Sequence, residues 1–72
     1  MKYDMLTVSV IKGTSRRSIC LDGFNHSIEK ITDLATRMMR DSDWSNATVW
    51  AQWTTLDGYG SVTFELDLGL AQ

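Results

Sequence analysis

The sequence predicts an α+β domain of order ββαββ, a four-stranded antiparallel sheet with one helix packed on one face. Three observations carry this expectation. Residues 3–21 hold two segments in which apolar and polar side chains alternate, broken by a glycine turn. Residues 27–40 hold apolar side chains at spacings of three and four. Residues 47–68 hold a second alternating pair, broken by another glycine turn. Period two marks strands and a period near 3.6 marks a helix.

The first strand runs from Tyr3 to Ile11, with Leu6, Val8 and Val10 on one face and Met5, Thr7 and Ser9 on the other. Lys12-Gly13-Thr14-Ser15 is the turn, where Gly13 can take the positive φ of a tight reversal. The second strand, Arg16 to Leu21, points Ile19 and Leu21 inward and Arg16, Ser18 and Cys20 outward. Asp22-Gly23 ends it. The helix is capped by Asn25 or Ser27, either of which can accept from the unpaired N–H groups of the first turn. Its apolar stripe is Ile28, Ile31, Leu34, Ala35 and Met38, with Glu29, Lys30, Asp33, Arg37 and Arg40 opposite, and it stops near Arg40. The third strand is Ala47 to Thr55, and Asp57-Gly58-Tyr59-Gly60 is the hairpin signal after it. In the fourth, Val62, Phe64, Leu66 and Leu68 alternate with Ser61, Thr63, Glu65 and Asp67, the pattern of a sheet covered on one face.

The expected core is Leu6, Val8, Val10, Ile19, Leu21, Ile28, Ile31, Leu34, Ala35, Met38, Val49, Trp53, Phe64 and Leu66, with Trp44 closing its end. Periodicity leaves the strand order open, so either hairpin can lie at the centre.

A chain of 72 residues makes one domain, residues 1–72, near the lower limit for a self-sufficient core, where oligomers often help. Cys20 is its only cysteine, which excludes an intrachain disulfide and points to a reducing compartment. No run of about 18 apolar residues is present to span a membrane. Met1-Lys2-Tyr3-Asp4 leads into alternation rather than into an apolar stretch, so no signal peptide is expected. The expected location is the cytoplasm, that of the host if the chain is viral. The sequons at Asn25 and Asn46 then carry no meaning.

Charge is uneven. Residues 1–40 hold all seven basic and four acidic side chains, a net of +3, whereas residues 41–72 hold five acids and no Lys or Arg, a net of −5. Such asymmetry steers encounters with partners.

Catalysis needs convergent groups, and few are present. One histidine, His26, and one cysteine, Cys20, are too little for a Cys–His nucleophile pair without further support. Asp41, Asp43 and His26 do not have the spacing of a metal site. Gly58 and Gly60 precede no helix and so do not cradle a phosphate. Glu65 and Asp67 lie about 7 Å apart on one strand face, with little room in a two-layer domain for a hydrolase cleft. The expectation is a non-enzyme without cofactor or metal.

Binding is better supported. Trp50 and Trp53 point to opposite faces, and Trp53 belongs to the core set, so Trp50 falls on the open face beside Thr48, Gln52 and Thr54. A Trp on a polar sheet face is a typical interface anchor. The expected partner-binding residues are Trp50, Gln52, Asp57, Tyr59, Glu65 and Asp67, acting on a protein with a basic surface. The alternative is a dimeric nucleic-acid-binding regulator that uses Arg16, Arg17, Arg37 and Arg40 on phosphates. The aromatics lie in the acidic half of the chain, however, away from those basic groups.

In architecture the chain resembles small phage-encoded accessory proteins, including anti-CRISPR and other anti-defence inhibitors. The likeness lies in its length, its lack of catalytic groups, and a lone helix, Ser27–Arg40, between two hairpins ending in the acidic strand Glu65-Leu66-Asp67. It implies a role in blocking a host defence complex by occupying its surface.

Overall fold

A computed structural model describes residues 5–23, 27–55 and 58–69. The order is β1 (Met5–Lys12), β2 (Ser15–Asp22), α1 (Ile28–Asp41), β3 (Asn46–Thr55) and β4 (Gly58–Asp67). The fold is therefore α+β, with four antiparallel strands in one sheet and a single helix. The spatial order is β2-β1-β3-β4. Each hairpin thus contributes one central and one edge strand, and the first strand of the chain pairs with the third. The connection from β2 through α1 to β3 crosses over β1.

Lys12 pairs with Ser15, so the first hairpin closes through Gly13 and Thr14 alone. Gly13 has a φ of 61°, the backbone a two-residue hairpin turn needs. In the second hairpin Thr55 pairs with Gly58. The strand therefore begins at Gly58 rather than after Gly60, and Tyr59 sits in the ladder opposite Thr54 instead of at a hairpin tip. Leu56 and Asp57, which join the strands, lie outside the described residues.

The Ser27 hydroxyl caps the helix by accepting from the Lys30 N–H at 3.2 Å. The alternative cap, Asn25, lies outside the described residues. At the other end the Trp44 N–H donates to the Met39 carbonyl at 2.8 Å and the Asp43 N–H to the Arg40 carbonyl at 3.1 Å. That pair of bonds is a Schellman motif, which places Asp43 in the left-handed region with a φ of 63°. Trp44 and Met39 are the positions this motif brings into apolar contact, and Trp44 packs on the core. Aspartate tolerates this backbone better than a β-branched residue does. Asp43→Val is expected to lower stability by about 1–2 kcal/mol, and Asp43→Gly to leave it unchanged or raise it. Urea denaturation of the two variants checks the sign.

The buried core consists of Leu6, Val8 and Val10 from β1, Ala47, Val49 and Ala51 from β3, and Ile31, Ala35 and Met39 from α1. A helix with its side chains is about 10–12 Å across, whereas neighbouring strands are about 4.8 Å apart. One helix therefore covers two strands well, and here those are β1 and β3. The flanking strands are covered less, and this corrects the expected burial on β2 and β4. Ile19, on the edge strand β2, is 38% exposed, and Leu21 is only half-buried. On β4, Val62, Phe64 and Leu66 are half-buried, as is Leu68 just beyond it. Ile28 is 56% exposed because it stands at the first helical position, ahead of the turns that meet the sheet. The innermost helical line is Ile31, Ala35 and Met39, at steps of four, and Met38 is displaced to the flank. No helix among the described residues is long and apolar enough to cross a membrane.

Candidate functional site

Strand alternation places the helix against the face of Leu6, Val8 and Val10, and among the described residues the other face carries no secondary-structure element. The ladder registers lay this open face out as rows across β2, β1, β3 and β4. At one end stand Asp22, Met5, Thr54 and Tyr59. Cys20, Thr7, Gln52 and Ser61 follow, then Ser18, Ser9, Trp50 and Thr63, then Arg16, Ile11, Thr48 and Glu65. Asn46 and Asp67 pair at the far end.

Of the residues expected to bind a partner, Trp50, Gln52, Tyr59, Glu65 and Asp67 share this face, and Asp57 lies outside the described residues. Tyr59 is 81% exposed, and Gln52, Glu65 and Asp67 are also exposed. Tyr59 and Glu65 are six residues apart on one strand, about 20 Å. The face thus has an aromatic end, where Met5 is exposed in the same row as Tyr59, and an acidic end. The Asp67 carboxylate accepts from the Gly69 N–H at 2.8 Å, and the Lys12 ammonium donates to the Asn46 amide oxygen at 2.7 Å.

Trp50 itself is half-buried. The Arg16 guanidinium lies over its ring, 5.6 Å from the centroid, a cation–π contact. Ser9, opposite Trp50, is completely buried although it faces away from the helix. Its hydroxyl is hydrogen-bonded to that of Ser18 at 2.8 Å, so the burial leaves no polar atom stranded there. Trp50 is the cross-strand neighbour of the buried Ser9 on β3. Sequence alone did not show this cluster, because β2 and β3 become near neighbours only once β1 is known to lie between them. The alternation signal did carry half of it, since it put Arg16, Ser9 and Trp50 on the same face.

The four arginines of the nucleic-acid reading do not converge. Arg16 and Arg17 are consecutive on a strand and point to opposite faces. Arg37 and Arg40 are exposed on α1, on the far side of the sheet from Arg16. On the helix side, a groove between β2 and the end of α1 is lined by Arg17, Ile19, Met38, Asp41, Ser42 and Trp44, among others.

The candidates for chemistry are dispersed. Cys20 is exposed on edge strand β2, where its sulfur accepts from the Thr7 hydroxyl at 3.6 Å. His26 lies outside the described residues. No group of three or more His, Cys, Asp or Glu among the described residues is placed to hold a metal ion. No protein-family model matches the chain, and neither a curated protein nor a solved structure matches it significantly.

Proposed function

We propose that this chain is a non-catalytic protein-binding module, an inhibitor or adaptor that presents its open sheet face to a partner with a basic surface. The observation that carries this reading is the uncovered face itself. It has an exposed Tyr59 at one end, exposed Glu65 and Asp67 at the other, and the Trp50 indole between them. Aromatic groups supply most of the energy of such contacts, and charges at the margin set orientation and exclude wrong partners. The architectural likeness to phage-encoded anti-defence proteins makes a host defence complex such as CRISPR-Cas the first partner to test.

The half-burial of Trp50 decides how to test it. Trp50→Ala removes a half-buried ring beside the buried Ser9 and under Arg16, and so affects the fold as well as the surface, which makes Tyr59→Ala combined with Glu65→Lys the cleaner probe. Affinity capture from host lysate, then titration of the purified partner, is expected to show at least a tenfold loss for this double variant, worth about 1.4 kcal/mol. Its circular dichroism and melting temperature stay those of the parent. A double variant that binds its partner as well as the parent does would place the contact elsewhere. The nucleic-acid alternative has less support, because its arginines lie on different faces. A mobility shift at low salt that fades steeply as salt rises would favour it.

A further inference from the structure

The strand order leaves β2 and β4 as edges, each with one side of its backbone N–H and C=O groups outside the ladder. Proteins blunt such edges with charged side chains, lysine above all, with proline or with short strands. Here β2 has eight residues and β4 has ten, and neither contains a proline or a lysine. The two edges also differ in charge. β2 carries Arg16 and Arg17, and β4 carries Glu65 and Asp67. The charge asymmetry of the sequence has thus become an asymmetry between opposite sides of one sheet.

We infer that this chain associates with copies of itself edge to edge, with β4 of one copy pairing with β2 of the next. Each strand is antiparallel to its neighbour, so β4 and β2 run in opposite directions. A second copy set sideways by four strand spacings, about 19 Å, therefore meets the first in an antiparallel ladder with the same face up. Extending the internal rows without any slip puts Arg16 of the second copy opposite Glu65 of the first. On the helix side the half-exposed Ile19 then meets Val62. A slip of two residues keeps the match, with Asp67 opposite Arg16 and Phe64 opposite Ile19. A slip of one residue turns the apolar side chains to the open face.

The chemistry selects this pairing over the symmetric ones. β4 against β4 brings two acidic strands together, and β2 against β2 two basic ones. The Arg16 guanidinium has five N–H donors, enough to stay over Trp50 and still meet a neighbour's carboxylate. The contact is head-to-tail, so it leaves a free edge at each end and continues unless the twist of the sheet closes a ring. Gln52 and Tyr59 stay exposed and, with the half-buried Trp50, are repeated along the assembly. The inference does not rest on the proposed binding role, and its test contains no partner.

The test is the mass of the purified chain by sedimentation velocity across protein concentration and salt. The parent is expected to gain mass as concentration rises and to lose it at high salt, where charges are screened within a few ångströms. Two charge reversals, Arg16→Glu with Arg17→Glu and Glu65→Arg with Asp67→Arg, each make both edges alike in sign. Each is expected to be monomeric on its own and to associate again when the two are mixed. All four substitutions in one chain are expected to restore self-association. Circular dichroism confirms that each variant keeps the fold. A parent that stays monomeric at high concentration in low salt overturns the inference, as does a β2 reversal that associates like the parent.

Discussion

Met39→Ala is expected to lower the stability of this protein by about 2–5 kcal/mol. Met39 is completely buried between the helix and the sheet. It is also the residue whose carbonyl receives the Trp44 N–H at the helix end. Truncating it leaves a cavity beneath the last turn and removes the apolar contact that accompanies the Schellman bonds. A chain of 72 residues has only about 4–11 kcal/mol of total stability at ordinary values per residue, so the loss is a large share. Ile28→Ala, one end of the same helix away, is expected to change stability by less than about 0.5 kcal/mol, because Ile28 is largely exposed. Urea denaturation of the two variants measures the difference. Equal effects would mean that the helix sits on the sheet in another rotation.

Gly60→Ala is expected to destabilise by about 1–3 kcal/mol, the reverse of the usual effect of removing a glycine from a strand. The backbone at Gly60 is not in the left-handed region, so conformation alone would favour alanine. The obstacle is the indole of Trp53, its cross-strand partner, which lies across the glycine. A Cβ at position 60 would stand 2.7 Å from one ring carbon and 2.9 Å from the ring nitrogen. The ring must move off the sheet to admit even a methyl group. In a Trp53→Phe background the smaller ring leaves room, and the cost of Gly60→Ala is expected to shrink by at least about 0.5 kcal/mol of coupling. Thermal melts of the four members of this cycle provide the check. A full, undiminished cost in the Phe background would remove the ring from the explanation.

Both residues show where the sequence was legible and where it was not. The alternation in β1, β3 and β4 and the helical period of α1 placed every element, because each buries one face and must repeat with its own geometry. They picked Met38 for the core where the structure buries its neighbour Met39, because the rotation of the helix depends on where the sheet lies beneath it. They also could not place Ile19 and Leu21. Their inward direction was legible, but the depth of their burial depends on β2 being an edge beyond the width of one helix. The open face was legible to the same degree. Alternation assigned Trp50, Gln52, Glu65 and Asp67 to it. The stacking of Arg16 on Trp50 and the complete burial of Ser9 follow from strand order, a long-range property that no local spacing encodes. Tyr59 was singled out correctly as a surface residue, yet as part of a turn, because the flanking glycines read as a reversal when one of them is there to make room for Trp53.

The crossover of α1 past β1 has a consequence for the order in which the chain is made. β1 leaves the ribosome before the other three strands but lies in the middle of the finished sheet. Its hairpin with β2 can close early, but Leu6, Val8 and Val10 keep one bare flank until Val49, Ala51 and Trp53 emerge. The nascent chain therefore carries an apolar strand in need of a neighbour through the synthesis of the whole helix. A chain truncated between Asp41 and Asn46, and held outside the ribosome by a C-terminal linker, would have α1 complete and this flank open. Protease sensitivity of such linker-held chains, lengthened in steps, should fall abruptly once β3 is included, rather than step by step with each element.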